Sequence, residues 1–286
     1  MPAAPEVHAT IDGIRGAVAA ARMRGASIAF VPTMGALHEG HLEHVRIAKA
    51  RGAYVVVSIF VNPLQFGRGE DLDRYPRTFE ADLAALASLG ADAVFAPTRG
   101  EMYPDGGVQV SVTAGPVGAM FEGAARPGHF DGALTVVAKL LAIVAPDFAT
   151  FGEKDAQQLW LVERMVADLS MPVEIVPVPI VREADGLAMS SRNRYLSPAE
   201  REAATVLSRA LAAAAAAAAV GRDASLAAAR EVLAAAPPLV DLDYLELVDA
   251  ASFSPVEPAH RGPVIALIAA RLGATRLIDN ARFALG

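Results

Sequence analysis

Cysteine is absent from the 286 residues. That excludes a disulfide framework and any thiolate metal site, and makes a reducing cytoplasm the expected location. Lysine is scarce, confined to Lys49, Lys139 and Lys154, with arginine making up the rest of the 25 basic side chains. Acidic residues outnumber them at 32, for a net charge of −7, which argues against a nucleic-acid partner. No apolar run approaches the roughly 20 residues of a membrane span, so no membrane partner is expected. Met1–Gly13 carries Glu6 and Asp12 and lacks the basic-then-apolar order of a secretory signal. Hydrophobic residues are plentiful at 53%, enough for a sizeable core in one large domain or two ordinary ones.

Periodicity predicts alternating elements. Ile11–Arg24 reads as a helix, Ile28–Val31 as a strand, about His38 to Ala50 as a helix and Tyr54–Phe60 as a strand. A polar loop follows from Asn62 to Arg77, then a helix from Thr78, its N-cap, to Leu89, and a short strand at Ala93–Ala96. Val108–Thr113 alternates as an edge strand or hairpin arm. Asp131–Val144 reads as a helix, Phe148–Phe151 as a strand, Ala156–Asp168 as a helix and Val173–Val181 as a strand with prolines. Such alternation predicts a Rossmann-like parallel sheet with helices on both faces.

The register changes near Arg182, so residues 1–182 form one expected domain and 183–286 a small α+β C-terminal one. Ser197, Pro198 and Glu200 spell a capping box opening a helix that runs through the eight alanines of Ala212–Ala219. A second helix is expected over Ser225–Ala235, with strands at Leu242–Val248 and Val264–Ala270. No internal repeat is present.

The most informative segment is Val31-Pro32-Thr33-Met34-Gly35-Ala36-Leu37-His38-Glu39-Gly40-His41. A strand, a glycine turn and two histidines three apart at a helix start suit a triphosphate, because the helix N-terminus offers unpaired N–H groups and a positive dipole end. Gly35 and Gly40 permit close backbone approach, and His38 and His41 project from one side of the first turn. Metal binding is the competing reading, since His44 follows, yet the H-E-x-x-H pattern fails with Leu42 at its last position. Asn62 and Gln65, leaving the second strand, can offer amides to a small polar substrate, although Asn62 also fits plain turn chemistry. Phe151-Gly152-Glu153-Lys154-Asp155-Ala156-Gln157-Gln158 again leaves a strand through glycine, with Lys154 suited to phosphates and Gln158 one turn on. Met189-Ser190-Ser191-Arg192-Asn193 places two hydroxyls and a guanidinium where a loop could close over phosphates.

VPTMGALHEGH, IFVNPLQFG, the YPRT of Tyr75–Thr78, RPGHFDG of Arg126–Gly132, FGEKDAQQ and MSSRNRYLSP occur in this order. Together they make the chain, from about residue 27 onward, resemble the pantoate–β-alanine ligase (pantothenate synthetase) family. The resemblance implies a nucleotide-binding fold like that of class I aminoacyl-tRNA synthetases. It implies joining of pantoate to β-alanine through a pantoyl-adenylate, with ATP and Mg²⁺, in a cytoplasmic homodimer. Catalysis would fall to His41, with His38, Lys154 and Arg192. ATP would lie along Met34, Gly35, Ala36, Leu37, His38, Glu39, Gly40 and His41. Gly152, Glu153, Lys154, Asp155, Val181, Met189, Ser190, Ser191 and Arg192 would complete its site. Gln65 and Gln158 would hold pantoate, with Gln65 bordering β-alanine and Asn62 beside it. Family members often carry adjacent acidic residues after YPRT-x-x; here Ala81 precedes Asp82, which leaves Asp82, with Glu80, as the candidate magnesium contact. Another H-x-G-H nucleotidylyltransferase would explain the histidines but not NPLQF and the second glutamine.

Overall fold

The structure, a computed structural model, describes residues 4–67 and 72–286. The chain forms two compact units, one running up to Glu153 and including Gln157–Pro179, the other comprising Lys154–Ala156 and Ile180–Gly286.

The first unit is built on a six-stranded parallel sheet of β1 (Glu6–His8), β2 (Ile28–Thr33), β3 (Tyr54–Ile59), β4 (Ala93–Phe95), β5 (Phe148–Gly152) and β6 (Glu174–Val178), in the order β1-β4-β3-β2-β5-β6. Its helices are α1 (Ile11–Met23), α2 (Glu39–Ala50), α3 (Phe79–Ser88), the short α4 (Arg99–Met102) and α5 (Glu122–Ala125), α6 (His129–Val144) and α7 (Ala156–Asp168). The strands alternate between two buried faces, which is why they read as continuous apolar runs. Ile28, Phe30, Val56, Phe95 and Phe151 pack with Ile14 and Val18 of α1, Leu134 and Leu141 of α6 and Leu159 of α7. Ala29, Val31, Val55, Val57 and Val94 face Val45 and Ala48 of α2 and Leu86 of α3. Each large aliphatic or aromatic side chain so buried contributes on the order of 1.5–3 kcal/mol. β2 pairs with β3 on one side and β5 on the other, so strand order reverses there. The loops leaving β2 and β5 diverge at that switch point, where ligands of such sheets bind.

Three expectations change in this unit. Val108–Thr113 forms no strand; Val112 N–H instead donates to Thr135 Oγ1 at 3.0 Å, and Ala114 N–H to Asp131 Oδ1 at 2.7 Å. Side chains of α6 thus take the backbone bonds a partner strand would have supplied. The last strand is shorter, ending at Val178, and β1, too short for a periodic signal, pairs with β4. The expected polar loop 62–77 contains 3-10 turns at Pro63–Gln65 and Leu72–Arg74, and its residues 68–71 lie outside the described residues.

The second unit holds α8 (Pro198–Ala204), α9 (Val206–Ala216), α10 (Arg222–Ala234) and the antiparallel sheet of β7 (Val240–Asp249), β8 (Gly262–Leu272) and β9 (Thr275–Leu285). Ser197 and Glu200 form the expected capping box, at 3.3 Å and 2.8 Å. The single long helix expected after it is broken at Thr205, whose hydroxyl donates to the Glu202 carbonyl at 2.8 Å, a back-bond that bends helices. β9 has no counterpart among the expected strands, because buried Asp279 and Asn280 interrupt its apolar alternation.

Candidate active site

The loop leaving β2 is held from inside. Gly35 and Ala36 both have left-handed backbones, at φ +83° and +52°, which turns two successive N–H groups toward one point. Asp82 of α3 occupies that point: it accepts from Ala36 N–H and Leu37 N–H, each at 2.9 Å, and from the Thr78 hydroxyl at 3.0 Å. Only 3% of Asp82 is exposed. A Cβ on residue 35 would come 3.1 Å from both Asp82 Oδ2 and Ile59 Cγ2, so glycine is required for space as well as for φ. Asp82, the candidate magnesium contact, therefore binds the loop from inside, and the N–H groups of Ala36 and Leu37 point at its carboxylate. Thr78 sits at the N-cap position but makes no capping bond, since its hydroxyl serves Asp82.

His38 is the N-cap of α2 and His41 its third residue. Their rings stack with centroids 4.0 Å apart. His38 N–H donates to His41 Nδ1 at 3.3 Å, so the neutral His41 ring carries its hydrogen on Nε2 and is a donor there. Glu39 and Gly40 open the helix, where N–H groups precede any intrahelical acceptor. His44, one turn on, bonds Thr150 of β5 at 3.0 Å, beneath Gly152, where a Cβ would meet its ring at 3.4 Å. The histidines therefore do not converge as metal ligands, and among the described residues no group of three or more His, Asp or Glu side chains is placed to hold a metal ion.

Gln65 lies in the 3-10 turn after β3, within a chain of fixed polarity. Asn62 is fully buried. Its Oδ1 accepts from Leu64 N–H at 3.3 Å and from the Tyr103 hydroxyl at 2.8 Å, and its Nδ2 donates to the Gly132 carbonyl and to Gln65 Oε1, each at 3.1 Å. A backbone N–H can only donate and a carbonyl only accept, so Leu64 and Gly132 fix the Asn62 amide, and Asn62 then fixes that of Gln65. Gln65 Nε2 is left facing Met34 Sδ at 3.1 Å. The Gln65 carbonyl accepts from His129 Nδ1 at 2.8 Å and Arg126 at 3.3 Å, which gives RPGHFDG its local purpose. Gly132 lets α6 touch this turn, since a Cβ there would fall 2.1 Å from the Leu64 carbonyl oxygen. Asn62, expected beside the substrate, has its polar atoms engaged within the protein and orients the Gln65 amide. Burial pushes the Tyr103 hydroxyl up to about 12, so it remains a neutral donor. In α7 the two glutamines separate: buried Gln157 ties Val117, Met120 and Glu122, whereas Gln158 is half-buried.

The second unit gathers the remaining candidates. Val181 and Met189 are neighbours across a hairpin, Met189 N–H donating to the Val181 carbonyl at 2.9 Å, with a bridge between Arg182 and Ala188. Ser190 caps the 3-10 turn Ser191–Tyr195, so the loop that carries the two serines and Arg192 is locally folded. Asn193 anchors it through Glu183 Oε1 at 2.7 Å, and Arg201 holds Glu183 at 2.5 Å, keeping that carboxyl below its usual range. Lys154, one-fifth exposed, lies 3.7 Å from Asp155, and its carbonyl accepts from Asn280 at 2.9 Å. Buried Asp279 takes Arg182 at 2.7 and 3.1 Å. Sequence reading misses Tyr103, Gly132, Asp279 and Asn280. For Gly132, Asp279 and Asn280 the only signal is a glycine or polar residue in an otherwise apolar element, and Tyr103, just after α4, gives none.

The family model for pantoate-beta-alanine ligase matches residues 6–282. The chain belongs to the pantoate–β-alanine ligase family. Among its relatives, the pantothenate synthetase of Leifsonia xyli subsp. xyli is 61% identical over 258 residues, 90% of this chain and 89% of the relative. The crystal structure of pantothenate synthetase from Thermus thermophilus superposes with a TM-score of 0.89 at 48% identity, covering 96% of this chain and 98% of that one. The pantoate-beta-alanine ligase of Francisella tularensis, complexed with beta-gamma ATP and beta-alanine, gives 0.78 at 32% identity, with 97% of each chain covered. As a member of the pantoate–β-alanine ligase family the protein is an enzyme, a ligase of pantoate and β-alanine.

Proposed function

We propose that the protein spends ATP to activate pantoate as an adenylate before joining it to β-alanine. A pantoate carboxylate oxygen attacks the α-phosphorus of ATP, the bond to the β-phosphate oxygen breaks, and diphosphate leaves with the electron pair. The β-alanine amine then attacks the acyl carbon, the bond to AMP breaks, and the amine gives up a proton. An anion attacking an anionic phosphate needs its developing charge neutralised. His41 would donate from Nε2 to an α-phosphate oxygen, with His38 and the first N–H groups of α2 beside it. Lys154, Arg192, Ser190 and Ser191 would meet the other phosphates. Arg192 suits this role because no carboxylate among the described residues lies within ion-pair distance of it. Gln65 would donate to an oxygen of pantoate, and Gln158 would complete the pantoate pocket.

Magnesium enters this reading as the ion accompanying ATP, to offset triphosphate charge. Asp82 does not fit it, and no step is assigned to it. A homodimer, a cytoplasmic location and a lid role for residues 183–286 belong to the same proposal. Among the described residues no helix is long and apolar enough to cross a membrane.

The observation that carries the proposal is the His38–His41 pair at the start of α2, on the switch point of the sheet. Pantoate labelled with ¹⁸O in its carboxylate tests it. One labelled oxygen should appear in AMP for each pantothenate formed. Pantothenate formed with unlabelled AMP would rule out an adenylate.

A further inference from the structure

The Asp82 carboxylate stands where a phosphate loop ordinarily keeps its N–H groups open for the ligand. We propose that Asp82 is a positioning residue, an internal anion that fills the nest made by Ala36 and Leu37 and sets the nucleotide loop in shape before ATP arrives. The inference rests on the nucleotide reading of this loop.

Charge and space both favour it. A carboxylate removed from water is costly unless strong donors replace its hydration. Asp82 has two backbone N–H groups and one hydroxyl, three bonds in all. Oδ1 takes two of them, and Oδ2, with one, faces Gly35 at a spot where even a Cβ would be 3.1 Å away. A cation needs open room for its remaining oxygen ligands, and Asp82 is 3% exposed. The left-handed backbone at Ala36 is unusual for a residue with a side chain and persists only where its surroundings hold it. Asp82 is the group that holds it. The loop so fixed ends at His38, whose own N–H is spent on His41, so the clasp reaches the paired histidines through two residues of backbone.

The test is Asp82→Asn, whose amide nitrogen must face one of the two N–H donors. In the nucleotide-free protein, amide hydrogen exchange at Ala36 and Leu37 should accelerate about tenfold to a hundredfold, the scale of a lost bond to a charged acceptor. kcat should fall with it. The magnesium concentration giving half-maximal rate should stay within about twofold of the native protein, since an amide left outside the metal sphere has no reason to move it. Unchanged exchange at residues 36 and 37 overturns the clasp. So does a shift in magnesium half-saturation of about tenfold or more, the loss expected for a group that serves the metal. If the asparagine variant does not fold, Thr78→Val removes one donor and keeps the charge. It should speed the same two amides by about fivefold, and no change would likewise overturn the proposal. Exchange is read without turnover. A native protein that makes no pantothenate therefore defeats the proposed function and leaves this inference standing.

Discussion

The loop after β3 and the hairpin at 181–193 both carry candidate ligand contacts, yet they are held by different forces. Around the Gln65 side-chain amide the bonds are neutral and buried: Tyr103 to Asn62, Asn62 to Gln65 and to Gly132. Around Met189–Arg192 the holding bonds are charged and partly open to water, with Arg201 35% exposed and Glu183 26%. Buried neutral bonds decide which atom of an amide faces outward, because each donor must find an acceptor. Exposed ion pairs hold position more weakly and are screened by salt. The difference teaches that, on the proposed reading, one region would select a small substrate by donor and acceptor pattern. The other, on the same reading, would supply charge to a flexible polyanion and tolerate adjustment.

The largest effect should come from the paired histidines, proposed above to serve the phosphate. His41→Ala should lower the adenylation rate by about 10²–10³-fold, the usual loss for one transition-state donor, with circular dichroism and melting temperature little changed. Diphosphate release near the native rate would remove His41 from the chemistry. Lys154→Ala should follow, costing about 10–100-fold in kcat/KM for ATP, on the scale of a charge-assisted bond. Lys154→Arg should recover only part of this, because a planar fork does not replace a compact ammonium. Full recovery would argue against close phosphate contact.

The comparison sharpens with Tyr103→Phe. Removing that hydroxyl takes one of two donors from Asn62 Oδ1, a loss of about 1 kcal/mol, so pantoate KM should rise about fivefold while ATP KM holds. Equal changes in both constants would mean the neutral chain does not belong to one substrate. The smallest effect concerns pH. The Arg201 hydrogen bond holds the Glu183 carboxyl below its ordinary 4.5, so this stabilisation is present above that value and is lost as pH falls through the lowered one. Melting temperature should therefore drop on the acid side, and Glu183→Gln should flatten that limb. An unchanged acid limb in the variant would show that the hairpin does not depend on the pair.

Much of this arrangement is legible in the sequence where local chemistry decides it. The strands around Val55–Val57 and the Ser197 cap announce themselves through apolar runs and a capping box. His38 and His41 are legible as a pair at a helix start for the same reason, since i and i+3 spacing is a local property. Partners distant in sequence are not legible. The hold of Asp82 on the loop is hidden because its acidity is visible and its two backbone donors, 46 and 45 residues away, are not. Tyr103 and Gly132 reach Asn62 across 41 and 70 residues. β9 is hidden because Asp279 and Asn280 look like surface residues until Arg182 and the Lys154 carbonyl are brought to them.

The central claim is that buried neutral bonds turn the Gln65 amide so that its N–H faces pantoate. Gln65→Glu tests it most directly, since the carboxylate still accepts from Asn62 Nδ2 but has no hydrogen to offer. Steady-state KM for each substrate is the measurement. The account predicts that pantoate KM rises by about tenfold or more, as expected when a substrate acceptor loses its donor and meets a like charge, while ATP KM stays within about twofold. A glutamate variant with native pantoate KM, or one whose ATP KM rises instead, would contradict it.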